Sequence, residues 1–532
     1  MIRLHRFNNV EELNAVYKGD GYSAPWLSWT DGVGVNYNRV LLQPLTFNIL
    51  SDGNIGWKAY NSSSVRTIQY SKNGGEWTDI TSTTEGTTIS VVTGDVLRFK
   101  GNTWPGSSGS IYNQFTSTCN FEASGNPGSL KYGEVTYADE PLNTTYCYTK
   151  LFQGCTGLTT APELPATTLA DNCYRNMFQG CTNLTTAPEL PATTLTIGCY
   201  NNMFNGCTSL TTAPELPATS LYQSCYSQMF QGCTSLTTAP ELPATTLANS
   251  CYYGMFWGCT GLTTAPELPA TTLADSCYNS MFYQCTALTA APILTATTLA
   301  DYCYTEMFYG CTSLTTTPAL PATTLTQQCY YQMFKGCTSL TTASVLLATT
   351  LANTCCREMF YGCTNLTTAP ALLATTLADS CYYDMFNGCA SLTTAPELPA
   401  TTLANYCYWR MFNGCTSLTT APALPATTLA NNCYNSMFQR CTGLTKAPVL
   451  PATTLVNNCY NAMFLGCSSL NYVKCYATNI SATGALTNWL NGVSSTGTFY
   501  KDNDVTTYPS GKSGIPTGWT VVNILYDLED ET

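Results

Sequence analysis

Cys251-Tyr-Tyr-Gly-Met-Phe-Trp-Gly-Cys-Thr-Gly-Leu-Thr-Thr-Ala-Pro-Glu-Leu-Pro-Ala-Thr-Thr-Leu-Ala-Asp-Ser276 is one of thirteen copies of a 26-residue unit. The register cysteines run without a slip from Cys147 and Cys173 through Cys251 and Cys277 to Cys459, and a second cysteine follows each eight positions later, from Cys155 to Cys467. A fixed period in this range means an array in which each unit buries its apolar face on its neighbours. Within the copy quoted, Cys251, Tyr252, Met255, Phe256 and Cys259 fall within about 140° of one another at 100° per residue, which predicts a short helix with one apolar face. Asn249 and Ser250, like Asp171 and Asn172 in an earlier copy, suit its N-cap. Leu262 to Ala265 reads as extended, Pro266 and Pro269 keep it from becoming a long central strand, and Leu268 and Leu273 point inward. The expectation is an α/β fold, a right-handed solenoid of thirteen coils, each a short strand plus a short helix.

The junction Gly206-Cys207-Thr208-Ser209-Leu210, followed by an extended segment and an aromatic-ended helix, resembles the BspA-like (Treponema-type) leucine-rich repeats. The familiar form carries Ala-Phe where this chain has Met-Phe, and its repeat is somewhat shorter. The Met-Phe variant and the Pro-Glu-Leu-Pro-Ala-Thr-Thr-Leu linker look like repeats carried by gut Bacteroidales and their phages. The resemblance covers roughly 140 to 475. It implies a leucine-rich-repeat solenoid that adheres to proteins, cells or surfaces, and it leaves the ligand open.

Composition narrows the function further. Charged residues make up only 10% of the 532, so the polar surface must come from Thr, Asn, Ser, Gln and Tyr. A net charge of −12 argues against nucleic acid, whose phosphates would be repelled. No apolar run approaches the ~18 residues of a membrane span, and Met1 to Thr30 lacks the apolar core and cleavage site of a secretory signal peptide. The 29 cysteines read as buried core thiols. Helical spacing of ~12 Å is too long for a disulfide between the two in each unit, and zinc sites usually draw on histidine, of which His5 is the sole example. With one histidine near the terminus, no P-loop and no GxGxxG, no enzyme is expected. No cofactor is expected either.

Four segments follow from the pattern: an N-terminal anchoring arm (1–40) with the aromatic cluster Pro25-Trp26-Leu27-Ser28-Trp29, a β-sandwich-like all-β domain (41–137), the solenoid (138–470) and a C-terminal capping segment (471–532). Strand candidates in the second include Leu45 to Leu50, Val96 to Lys100 and a hairpin around Lys72-Asn73-Gly74-Gly75. In the last, Tyr472 to Cys475 and Ala485 to Leu490 suggest one more strand and helical turn, and the acidic tail Asp527 to Thr532 reads as exposed.

Invariance within the array belongs to the core, so recognition should use positions that vary. The Tyr after the first cysteine, Tyr148 to Tyr460 with only Cys356 departing, reads as a structural ladder. The outer helix face of the middle copies gathers Tyr253, Trp257, Tyr283, Tyr309, Tyr331, Tyr361, Tyr383 and Trp409, a candidate stripe for stacking on sugar rings or for a protein contact. The alternatives are rings that pack on one another, or self-association, for which a trimer is one form. A linker column runs Glu163, Glu189, Glu215, Glu241 and Glu267, then Ile293, Ala319, Val345, Ala371, Glu397, Ala423 and Val449. Five stacked carboxylates are a weak candidate for a cation site, with solvated surface groups the simpler reading. The functional expectation is a phage virion fibre or decoration protein. Its N-terminal region would contact other virion proteins, and its solenoid would bind a host cell-surface glycan or protein. A bacterial cell-surface adhesin and an intracellular scaffold are the alternatives.

Overall fold

The computed structural model describes residues 27–30, 36–39, 41–133, 136–137, 142–504 and 508–524. The chain divides into two compact units, Met1–Thr194 and Leu195–Thr532. Most of the arm (1–40), including Pro25 and Trp26, and the tail Asp527 to Thr532 lie outside the described residues; within the arm, Leu27–Thr30 pairs antiparallel with Asn36–Arg39.

The expected helix in each repeat is absent. Among the described residues the α-helix is the single turn Ser129–Tyr132, outside the repeats, so this is a repeat protein of turns and strands with almost no helix. The nine residues from Cys251 to Cys259 form a run of overlapping turns with positive φ at every fourth residue: Ser250 (56°), Gly254 (56°) and Gly258 (72°). An α-helix needs φ near −63° throughout, so one such residue per turn forbids it. Donors alternate accordingly. The N–H groups of Cys251, Tyr253, Met255, Trp257 and Cys259 bond back three residues, to Ala248, Ser250, Tyr252, Gly254 and Phe256. Those of Tyr252, Gly254, Phe256 and Gly258 bond instead to the carbonyls of Cys277, Asn279, Met281 and Tyr283 in the next unit, at 2.7–3.0 Å. Every second donor is therefore spent between units, and the turn run cannot form without its neighbour. Asn172 (φ 57°) and Ser250 are left-handed residues of this run, not extended N-caps.

Glycine suits these positions, and one copy measures how well. Gly310 has φ 70°, and a Cβ there would stand 3.2 Å from Cγ of Gln284 in the unit before. Gly310→Ala is therefore expected to lower stability by about 1–2 kcal/mol, from the left-handed penalty plus the contact. Urea unfolding of the variant checks this.

The other half of the repeat is extended but makes isolated parallel bridges, such as Thr238↔Thr264, Thr264↔Ala290 and Leu268↔Leu294, each 26 residues apart. Prolines interrupt the donors needed for longer ladders. Along Pro266-Glu267-Leu268-Pro269-Ala270, residues alternate buried and exposed, so this linker is a pleated wall with Leu268 inside and Glu267 outside.

In the first unit, a six-stranded sheet runs in the order Leu158–Thr160, Phe121–Ser124, Leu45–Ile49, Val96–Lys100, Thr67–Lys72, Thr78–Thr81. A four-stranded sheet runs Gly106–Ser108, Ile111–Ser117, Gly53–Ala59, Thr87–Val91. Their inner faces share Phe47, Trp57, Phe99, Phe115 and Phe121, with ring centroids 4.7–4.9 Å apart. Asn73 (φ 53°) and Gly74 (φ 73°) make the hairpin turn read from sequence. These sheets also receive the first repeat. Leu158–Thr160 adds in parallel to Phe121–Ser124, and Phe152 stacks on Phe115 at 5.6 Å. The Cys155 thiol donates to the Phe115 carbonyl at 2.9 Å, just as Cys181 donates to Phe152. Strand Ile111–Ser117 thus stands where a preceding repeat would.

In the second unit the regular period ends in a four-stranded parallel sheet, Lys446–Leu450, Tyr472–Cys475, Thr498–Asp502 and Thr520–Ile524. Ala485 to Leu490 continues the turn run, not a helix, and buried Trp489 stacks on Tyr460 at 6.4 Å.

Candidate functional site

The invariant positions are interior. Stacked Phe rings run from Phe204 to Phe464 at 5.5–5.7 Å per repeat, as in Phe256–Phe282 and Phe282–Phe308. The Tyr column is fully buried and stacked likewise, as in Tyr252–Tyr278 at 5.7 Å. All 29 cysteines are buried, and none is in a disulfide. From Cys233 to Cys467 the second cysteine donates to a Phe carbonyl of the repeat before, as Cys259 does to Phe230 at 3.0 Å. Burial pushes that thiol up to about 12, so these groups stay protonated, unreactive donors. None of these columns can meet a ligand.

Outward positions are what remain, and the turn run sorts them. The eight aromatic residues fall into two columns four residues apart. One holds Trp257, Tyr283, Tyr309 and Tyr361, with Lys335 between the last two; the other holds Tyr253, Tyr331, Tyr383 and Trp409, with Arg357 between Tyr331 and Tyr383. Rings in each column touch: Trp257–Tyr283 at 4.5 Å, Tyr283–Tyr309 at 4.4 Å, Tyr383–Trp409 at 5.0 Å. All eight are half-buried except Tyr361, at 36% exposure. The cations fit between rings. Lys335 Nζ lies 4.7 Å from the Tyr361 centroid and 5.7 Å from that of Tyr309, and the Arg357 guanidinium lies 4.2 Å from Tyr383.

Between the columns lies a polar seam. Glu358 is buried and accepts from Gln332 Nε2 and Lys335 Nζ at 2.7 Å and from Arg357 Nε at 3.1 Å. Burial opposes its charge, but the Lys335, Gln332 and Arg357 contacts together hold the carboxyl below its usual range. One rung on, Asp384 is buried with the Asn387 amide at 2.5 Å. Burial foremost pushes its pKa up from 3.8 to about 6, with Glu358 adding and with Asn387, Arg410 and Arg357 opposing. The folded chain therefore holds this proton longer than the unfolded one. The stability it contributes is complete below pH 3.8 and is lost as pH rises through about 6. Asp384→Asn is expected to be more stable than the parent above pH 6, by about 1–2 kcal/mol, and to lose that advantage near pH 4. Urea unfolding at both pH values reads the difference.

In the linker column Glu163, Glu189, Glu215, Glu241 and Glu267 are exposed. In the four copies that follow, the same outward column becomes Ile293, Ala319, Val345 and Ala371, all exposed, and the column two residues on brings Leu347 and Leu373. Ile293 is 77% exposed, Val345 50%, Leu347 44% and Leu373 43%.

The model of the BspA type leucine rich repeat region matches in six copies, over residues 130–263, 200–341, 275–409 and 382–486. The chain belongs to the BspA-type leucine-rich repeat family. No curated protein matches it. Among the described residues of this BspA-type chain, no group of three or more His, Cys, Asp or Glu is placed to hold a metal ion, and no helix is long and apolar enough to cross a membrane. A cavity of about 220 Å³ in the first unit is lined by Gly109, Thr149, Lys150, Gln153, Arg175, Asn176 and Gln179. It offers cations and amides but no carboxylate or imidazole. The exposed Ile, Val and Leu of the BspA-type linkers are the surface that sequence reading left unused. Their signal was present in the column that begins with glutamates, but two flanking prolines hid which way it points.

Proposed function

We propose that this chain is a non-catalytic adhesion and recognition protein, and more specifically a phage virion fibre or decoration protein. On this reading the thirteen units form a right-handed leucine-rich-repeat solenoid, residues 471–532 close its last rung, and the N-terminal region attaches to the particle. The solenoid then takes a host-surface glycan or protein on its aromatic columns. One observation carries the proposal: the inward columns scarcely change over thirteen units, while departures gather on outward columns of the middle copies. A scaffold held constant with a varied outer face is the pattern of a binding surface, not of a catalytic centre. Half-exposed Tyr and Trp rings with interleaved Lys335 and Arg357 suit stacking on sugar rings.

Two measurements test it. Mass spectrometry of purified phage particles should detect the chain among virion proteins; its absence there sinks the fibre reading and leaves the bacterial surface adhesin. A glycan-array screen of the full chain and of the Trp257→Ala/Trp409→Ala variant addresses the surface. Loss of bound signals in the variant is expected, and unchanged binding removes the aromatic columns as the site.

A further inference from the structure

The linker face of the sixth to ninth units is a second surface, on the pleated wall and not on the aromatic columns. Its outward residues are Ile293, Ala319, Val345 and Ala371 in one column and, two residues on, Thr295, half-buried Pro321, Leu347 and Leu373 in the other. The core does not require them to be apolar: the five preceding units carry Glu at the first of these columns, and the inward neighbours Leu294, Leu320, Leu346 and Leu372 are already buried. The rungs are in register here through the bridges Leu268↔Leu294, Leu320↔Leu346 and Leu346↔Leu372, so side chains of successive units lie flush. Two columns two residues apart make a stripe about 7 Å wide, and four rungs at strand spacing make it about 15 Å long before side chains are added. An outward stripe that is apolar except at Thr295, with Ile293, Val345, Leu347 and Leu373 its most exposed large side chains, marks an interaction site.

The borders say what fits. Glu267 stands one rung before Ile293, Glu397 one rung after Ala371, and both are exposed. These carboxylates are five rungs, about 25 Å, apart. We propose that this stripe docks an amphipathic helix of another protein, with an apolar face at its centre and Lys or Arg in its first and last turns. A long, narrow apolar strip matches the apolar face of a single helix, which covers 25 Å in about 17 residues. Charge selects against the other occupants. A second copy laid on the stripe by a two-fold axis would set Glu267 of one copy against the partner's Glu397. An anionic membrane would meet carboxylates at both ends of the stripe and a chain of net charge −12.

The test uses the full chain and labelled synthetic helices of about 18 residues, with leucines along one face and either lysines or glutamates in both end turns. Fluorescence anisotropy should show the lysine-ended helix binding at least about fivefold tighter than the glutamate-ended one. Val345→Asp/Leu373→Asp, both at exposed positions, should lose binding of the lysine-ended helix while melting as the parent does. Glu267→Lys/Glu397→Lys should reverse the order of the two helices. Failure of the parent to bind either helix, equal binding of both, or binding indifferent to the aspartates overturns the proposal. So does a parent dimer that the aspartate pair dissociates, or tighter binding to anionic vesicles than to the lysine-ended helix. Because the aromatic columns are untouched, none of these results bears on glycan recognition.

Discussion

Phe282→Ala is expected to destabilise the second unit by about 3–5 kcal/mol, among the larger effects available in this chain. The ring is wholly buried and stacked at 5.7 Å on Phe256 and 5.6 Å on Phe308. The cavity cannot collapse cheaply, because the backbone on both sides is pinned. Phe282 N–H donates to the Met307 carbonyl at 2.9 Å, and the Phe282 carbonyl accepts the Cys285 N–H and the Cys311 thiol, each at 3.1 Å. In a repeat array stability is a sum of units and nearest-neighbour contacts, so the loss falls on two interfaces at once. Urea unfolding should show a lower midpoint, and a shallower slope if the array divides at the sixth repeat. Trp257→Ala, on an outward column, should cost far less. Equal costs for the two would contradict the division into inward scaffold and outward face.

The second large effect is expected at Phe115, in the first unit. Its ring is fully buried, within 4.9 Å of Phe47, Trp57 and Phe99 and 5.6 Å from Phe152 of the first repeat. Its N–H donates to Leu151 at 2.7 Å and its carbonyl accepts the Cys155 thiol. Phe115→Ala should cost about 3–5 kcal/mol, and the loss should be local. Hydrogen exchange of the first repeat, Cys147 to Leu158, should accelerate together with strand Ile111–Ser117, while the second unit keeps its protection. Unchanged exchange in the first repeat would mean that the sheets do not serve it as a preceding rung.

The repeat, its register, its family and its buried columns were legible in the sequence because burial follows spacing. The conformation that achieves it is a run of turns where the spacing predicts a helix. Inward residues at Cys251, Tyr252, Met255, Phe256 and Cys259 recur every four positions, and nine residues are too few to separate a period of 4 from the 3.6 of a helix. The distinguishing mark was the residue type at the left-handed positions. Gly254 and Gly258, or Asn172, Asn176 and Gly180, tolerate positive φ, and Ser250 adopts it without that preference. Tyr302, Arg410 and Ala462 adopt it too, so stacking imposes the conformation where local preference does not. No short-range pattern could show that the strand at Phe115 would mimic a repeat, since that depends on pairing across forty residues. The direction of the glutamate column likewise needed the pleat, because Pro266 and Pro269 obscure the alternation.

The two outward columns, and hence the surfaces assigned to recognition, follow from the turn run with its alternating donors. Far-UV circular dichroism of the full chain tests that backbone most directly. Helices over nine residues of each of thirteen units would place roughly a fifth of the chain in α-helix, with minima at about 208 and 222 nm. The turn run predicts no helical double minimum, and a helical signal approaching a fifth of the residues would contradict it.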